Sequence, residues 1–322
     1  MKKAFLALMM AVSMGAVSYA ADVAAIAKQA LERVPDGTIA FRGEDGWLYS
    51  RNELEHLAAG ELAGGKVVAH SKAVQAANAD PIPAIVAFND GLAAEGIKLI
   101  VVPVPPKCAV VPFAGLEQGD AMAYLRPFYE ELRAKGVEVL DLYDDFAVSP
   151  GPVYCKQDAH WNQAGIKIAA KKMAVLSGLR PGDAAFGKTD GTIAVVGDLM
   201  RSLDPDARAG ETLSITQYAG ELIDETSPVL VLGDSHVLFL STGGDMLAEN
   251  AGLAECLAAE LKMPVDRIGV KGSASTVVRM NLFRKAARDP AWLKNKKVVV
   301  WCFSCREFTE STSGWAVVPV LK

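Results

Sequence analysis

Two short motifs in this chain hold residues able to move an acyl group. Gly233-Asp234-Ser235-His236 follows the apolar run Pro228-Val229-Leu230-Val231-Leu232, which places Ser235 on a turn where a strand ends. Asp158-Ala159-His160-Trp161 lies earlier in the chain. A serine hydroxyl is a poor nucleophile until a base takes its proton, and the base works best when a carboxylate fixes its tautomer. Ser235, His160 and Asp158 supply nucleophile, base and orienter. In an extended segment residues i and i+2 project to one side. That spacing lets Asp158 accept from one imidazole nitrogen while the other faces Ser235. The Ser235 amide is expected to face the developing oxyanion, with Gly272 as the second donor. Gly233 reads as the residue that lets the chain turn tightly.

The remaining histidines are weaker candidates. His56 and His70 lie in polar stretches and read as solvated. His236 is next to the nucleophile, where neighbours on a turn diverge, so it reads as packing or lining the pocket. Trp161, beside the base, is a candidate surface for a sugar face, with core filler as the alternative. Arg306, past the last strand, is a candidate to hold an acidic or hydroxyl-rich acceptor, with a structural salt bridge as the alternative.

Five cysteines are present: Cys108, Cys155, Cys256, Cys302 and Cys305. Their odd number leaves at least one outside any intrachain bridge. Cys302-Phe303-Ser304-Cys305 ends a strand instead of opening a helix, so it lacks the usual means of lowering a thiol pKa and reads as structural. No second such pair completes a metal site, and neither metal nor cofactor is expected. Cys108 and Cys155 both fall near the catalytic rim, and a bond between them would fix the loop of His160. Cys155–Cys305 and no disulfide at all are the alternatives.

The elements that must position these residues alternate. Asp22 to Arg33 reads as a helix capped by Asp22, and 38–42 with 46–49 as a hairpin. Asn52 is expected to cap a short helix through Leu57. Helices are expected over 83–95, 120–135, 252–262 and 277–288, with a further one running from the Asn162 cap to Ser177. Apolar strands are expected over 97–102, 137–140, 228–232, 265–270 and 297–301. This alternation predicts an α/β fold with a doubly wound, mostly parallel five-stranded sheet. Residues 179–227 break the rhythm with short polar segments and turn signals, and read as an insertion over the sheet. Ligands in open α/β sheets bind beyond the carboxyl ends of the strands, which is where Ser235 falls.

The N-terminus carries Lys2 and Lys3, an apolar stretch from Ala4 to Val17, then Ser18-Tyr19-Ala20. This is the pattern of a secretory signal peptide over 1–20, cleaved after Ala20, leaving one catalytic domain over 21–322 in the periplasm. Loss of the two lysines takes the formal charge from −5 to −7. An acidic chain with scattered Lys and Arg argues against nucleic acid as a partner.

At its motifs the chain resembles the SGNH-hydrolase-like domain of the alginate O-acetyltransferase family of AlgX and AlgJ type. Gly46-Trp47-Leu48-Tyr49 matches the family's opening element, Asp158-Ala159-His160-Trp161 with Gly165 its Asp-x-His-Trp motif, and Gly233-Asp234-Ser235 its serine element. Gly197-Asp198-Leu199 and the pair Trp301 and Arg306 are also similar. Ordinary SGNH esterases place the serine motif first and an Asp-x-x-His last; the rearranged order and shorter spacing here match the acetyltransferase branch. The chain departs from the family pattern at Cys302, Ser304 and Cys305, and in having His236 after the serine. The resemblance implies an exported O-acetyltransferase that takes acetyl onto Ser235 and passes it to a polysaccharide acceptor. A membrane-bound acyltransferase would deliver the acetyl. The other readings are a carbohydrate acetylesterase and a catalytically silent polysaccharide-binding or assembly protein.

Overall fold

The computed structural model describes residues 23–321, Ala114 excepted. The expected signal peptide, its cleavage site after Ala20 and the Asp22 cap lie outside the described residues. Nine strands are formed: β1 Ala40–Arg42, β2 Leu48–Ser50, β3 Lys98–Val104, β4 Glu138–Val139, β5 Gly187–Val195, β6 Glu211–Ala219, β7 Val229–Gly233, β8 Asp266–Gly269 and β9 Val298–Ser304. Five of them make one parallel sheet in the order β4-β3-β9-β7-β8. These are the five strands expected from the sequence, shifted by a few residues at their ends.

The apolar runs follow from burial on both faces. Along β9, Val299, Trp301 and Phe303 enter one core while Val298, Val300 and Cys302 enter the other. β3 does the same, with Leu99 and Val101 on one side and Ile100, Val102 and Val104 on the other. Side chains alternate along a strand, so a strand covered twice must be apolar throughout. Helices Pro81–Ala94, Met122–Ala134 and Thr276–Arg288 cover the first face. Helices Gln163–Ser177 and Leu253–Leu261 cover the second. The sheet is doubly wound.

Chain order explains the position of the site. The chain moves outward from β3 to β4, restarts at β7, moves outward the other way to β8, and returns to the centre as β9. The carboxyl ends of β3, β9 and β7 therefore share the reversal of strand order, where such sheets open a crevice.

Two elements differ from expectation. Residues 187–219 hold a long antiparallel ribbon in which Gly187 pairs with Ala219 and Val195 with Glu211. β5 is almost wholly solvent-exposed, so it carries no apolar pattern; β6 packs Leu213, Ile215 and Tyr218 on the second core. Helix Arg51–Ala58 begins two residues earlier than expected, with Ser50, not Asn52, at its N-cap. Among the described residues no helix is long and apolar enough to cross a membrane.

Candidate active site

β7 delivers Ser235. The strand ends at Gly233, and Asp234 caps the single helical turn Ser235–Leu238, its side chain accepting from the His236 amide. A Cβ on residue 233 would come within 1.8 Å of the Cys302 carbonyl oxygen and 2.6 Å of a Val237 methyl. Gly233 is therefore set by close approach to β9, not by the turn that the sequence suggested. Ser235 opens the turn, so its amide has no carbonyl partner within that turn.

His160 comes from a tight excursion over 153–162. Its neck is closed by hydrogen bonds from the Cys155 amide to His160 O (3.1 Å) and from the Asn162 amide to Val153 O (2.9 Å). Asn162 then caps helix Gln163–Ser177 through the Ala164 and Gly165 amides, as expected. Asp158 and His160 meet through a side-chain turn, not through extended alternation. Asp158 Oδ1 accepts from the His160 amide at 3.1 Å and lies 2.6 Å from the ring Nδ1. His160 Nε2 lies 2.7 Å from Ser235 Oγ. The imidazole stacks on Phe239, with ring centres 4.7 Å apart and planes 13° apart. The structure thus brings Ser235, His160 and Asp158 into one hydrogen-bonded line.

The electrostatics suit that line. Burial works to raise the Asp158 carboxyl, but the facing imidazole and the amides of Asp198 and His160 win and hold it far below the usual range. Burial works to lower His160, and the adjacent Asp158 charge overcomes it, so the imidazole sits above its ordinary value. The ionised Asp158 fixes the proton on Nδ1, leaving a lone pair on Nε2 for the serine proton.

Residues that carry no assigned role in the sequence motifs hold the loop. The Asp198 amide donates to Asp158 Oδ2 at 2.9 Å, and Asp198 Oδ1 accepts from the Ala159 amide at 2.8 Å. Both oxygens of Glu211 accept from the loop, from the Lys156 and Gln157 amides at 2.8 Å each. Buried Lys107 donates from Nζ to the carbonyls of Leu48 (2.7 Å), Lys156 (3.2 Å) and Asp158 (3.0 Å). The ribbon region 187–219 is thus a clamp on the 153–162 loop as well as a cover. Gly197-Asp198 was visible as a motif, but its partner lies forty residues away. A Cβ on Gly197 would lie 2.1 Å from Gln157 O and 2.6 Å from the Asp158 amide. Gly197→Ala is expected to cost about 1–3 kcal/mol through overpacking, and to lower activity further by displacing Asp158. Denaturant unfolding and turnover of an activated acetyl ester check both effects.

A second acid–histidine pair adjoins the first. Asp234 Oδ1 lies 3.0 Å from His236 Nδ1, while Asp234 Oδ2 accepts from the Ser304 amide at 2.9 Å. Burial opposes the Asp234 charge, but His236 and these amides prevail and hold the carboxyl at about 2. His236 itself is pulled below its ordinary value by burial, against the attraction of Asp234.

Other expectations need correction. Trp161 is fully buried and packs its ring edge-on to His236 at 5.5 Å, so it is core and offers no sugar platform. Gly272 sits in a turn at φ +71, which by itself is a reason for a glycine there. Arg306 is half-buried just past the end of β9 and forms no direct ion pair among the described residues, which removes the salt-bridge alternative; its charge acts on His236 and Glu307. His56 is not solvated: it is buried, with Nδ1 2.8 Å from Thr309 Oγ1. All five cysteines are buried free thiols, so neither Cys108–Cys155 nor Cys155–Cys305 is bridged. Asp158, His160 and Asp198 bring ligand-type atoms within 4.8 Å of one another. Those atoms face hydrogen-bond donors, and a cation there would displace the proton between Asp158 and His160.

Comparison with known proteins agrees with this architecture. Residues 40–305 match the family described as "SGNH hydrolase-like domain, acetyltransferase AlgX". A curated relative, the probable alginate O-acetylase AlgJ of Pseudomonas syringae pv. tomato, is 26% identical over 136 residues. That stretch covers 41% of this chain and 31% of the relative, so the chain spans about a third of that protein's length. The solved O-acetyltransferase domain of Pseudomonas putida AlgJ superposes with a TM-score of 0.62 at 20% identity, over 84% of this chain and 92% of that one. Pseudomonas aeruginosa AlgX gives a TM-score of 0.56 at 18% identity, over 82% of this chain and 61% of that one. At these identities the two structures speak to the fold alone.

Proposed function

The chain belongs to the AlgX-type family of SGNH hydrolase-like acetyltransferases, and from that premise we propose that it is an exported serine-dependent O-acetyltransferase acting on a polysaccharide. The observation that carries the reading is the unbroken line from Ser235 Oγ through His160 (2.7 Å) to Asp158 (2.6 Å). Ser235 Oγ attacks the acetyl carbonyl of a donor while His160 Nε2 takes the hydroxyl proton and hands it to the leaving group. An acceptor hydroxyl then gives its proton to His160 as its oxygen attacks the acetyl-serine. The Ser235 oxygen leaves and regains that proton, and the sugar carries the acetyl away. The amide of Ser235, in the first turn of its helix, donates to the carbonyl oxygen as its charge develops.

The basic, apolar and small-residue order of 1–20 supports export to the periplasm. An acetyl donor reaching that compartment has to be supplied across the membrane, so the partner is a membrane-bound acyltransferase. The acceptor is a polymer of the class named for the relatives, with alginate the first to try.

Transfer and hydrolysis differ only in which hydroxyl attacks the acetyl-serine. With an activated acetyl ester as donor, a suitable oligosaccharide is expected to yield acetylated sugar and to suppress free acetate. The check is a panel of uronic, gluco- and amino-sugar oligomers. Acetate release unchanged by every member would make the protein an esterase, and no acetyl-serine at all would make it a silent binding protein.

A further inference from the structure

The chain contains the Asp-x-His arrangement twice at one site. In Asp158-Ala159-His160, one carboxylate oxygen accepts from the histidine amide (3.1 Å) and faces the ring Nδ1 (2.6 Å). In Asp234-Ser235-His236 the same atoms stand at 2.8 Å and 3.0 Å. In both pairs the other carboxylate oxygen accepts a backbone amide from a distant element at 2.9 Å, Asp198 in one and Ser304 in the other. The two imidazoles touch, with ring centres 4.8 Å apart. Trp161, edge-on at 5.5 Å, helps fix the second ring.

The pairs differ in what they do with Nε2. His160 spends it on Ser235 Oγ. His236 Nε2 makes no hydrogen bond among the described residues, nor is it among the unpaired polar atoms shut off from water. His236 is only 3% exposed, and its ring lies one ring contact from the base. The ionised Asp234 holds the His236 proton on Nδ1, so Nε2 carries a lone pair. Burial, with His160 and Arg306 nearby, holds the imidazole below its ordinary value against the attraction of Asp234. An acceptor-only nitrogen beside a nucleophile can recognise a hydroxyl group.

We propose that His236 is a specificity-determining residue whose Nε2 accepts a hydrogen bond from a second hydroxyl of the acceptor sugar, next to the one that attacks. This rests on the transferase reading above and deepens it: the acceptor class is one with neighbouring hydroxyls, and simple alcohols are poor acceptors. No proton is transferred at His236. The attacking hydroxyl still gives its proton to His160, and the second hydroxyl only donates to His236 and so fixes the ring of the sugar.

The test compares acetyl transfer to a methyl hexopyranoside with transfer to its monodeoxy analogues, from the same activated ester. The wild type is expected to reject the analogue lacking the recognised hydroxyl by about tenfold, the scale of one lost hydrogen bond. His236→Phe should erase the discrimination, and His236→Gln, which keeps an acceptor oxygen, should restore part of it. Discrimination is a ratio within one protein, so a loss of folding or of acylation does not mimic its loss. If His236→Phe proves unstable, the imidazole nitrogen signals of the Ser235→Ala protein serve instead. The His236 Nε2 resonance should move on saturation with the glycoside and stay with the analogue. Equal transfer to glycoside and every deoxy analogue, discrimination unchanged in His236→Phe, or an unmoved resonance overturns the inference. If the wild type forms no acetyl-Ser235, the functional reading itself fails, and this inference with it.

Discussion

Ser235→Ala is expected to abolish turnover of an activated acetyl ester, a loss of about six orders of magnitude where the nucleophile of a serine triad is removed. Folding should be retained, because the hydroxyl makes a single hydrogen bond, to His160 Nε2. The backbone that shapes the turn depends on the Asp234 cap and on Gly233 against Cys302, none of which the substitution touches. Ser273 and Ser275 lie near the carboxyl end of β8, yet neither faces a base: Ser275 Oγ bonds to Ser311, and Ser273 Oγ is buried without a partner. Residual turnover near the wild-type rate would remove Ser235 from the mechanism. Steady-state kinetics beside a circular dichroism spectrum decides this.

Asp158→Asn should cost roughly 10⁴-fold, on the scale found when a triad carboxylate becomes an amide. Both Asp158 oxygens are acceptors here: one faces His160, and the other takes the Asp198 amide. An asparagine must set its NH₂ against one of these donors. Set against Asp198, it loses that anchor and shifts the loop. Set against His160 Nδ1, it donates to the ring and forces the proton onto Nε2, where it points at Ser235 with no lone pair to receive the hydroxyl proton. The pH profile gives an independent sign. His160 must be neutral to act, and Asp158 raises its pKa. Activity should therefore climb with pH through a midpoint above the ordinary imidazole value of about 6.5. In Asp158→Asn the residual activity should climb through a lower midpoint, because the charge that held the imidazole protonated is gone. A midpoint that stays put would detach the acid limb from His160.

The five sheet strands and the nucleophile–base–acid set were legible because each leaves a local trace. Strands covered on both faces, such as Leu99 to Val104, read as unbroken apolar runs. Asp158 and His160 are two residues apart, and Ser235 follows directly from a strand. What was not legible acts at a distance or against type. Nothing local in the sequence marks Lys107, which is buried because three loop carbonyls converge on its ammonium. His56 is buried in the same way by a partner, Thr309, at the far end of the chain. β5 left no trace because solvent covers nearly all of it. The pairing of Asp234 with His236 leaves no separate trace, because both residues flank Ser235 in one motif. An aromatic residue beside a base fits either a sugar or a core, and only packing shows that Trp161 is core.

The central claim is that acetyl passes through Ser235 on its way to a sugar. Peptide mass spectrometry of protein exposed to an activated acetyl ester, before and after addition of an acceptor oligosaccharide, tests it most directly. The account predicts one acetyl group on the peptide carrying Ser235, lost on addition of the acceptor as acetylated sugar appears. Acetyl on Ser273 or Ser275 instead, or acetylated sugar formed with no acetyl-Ser235 at any time, would contradict it.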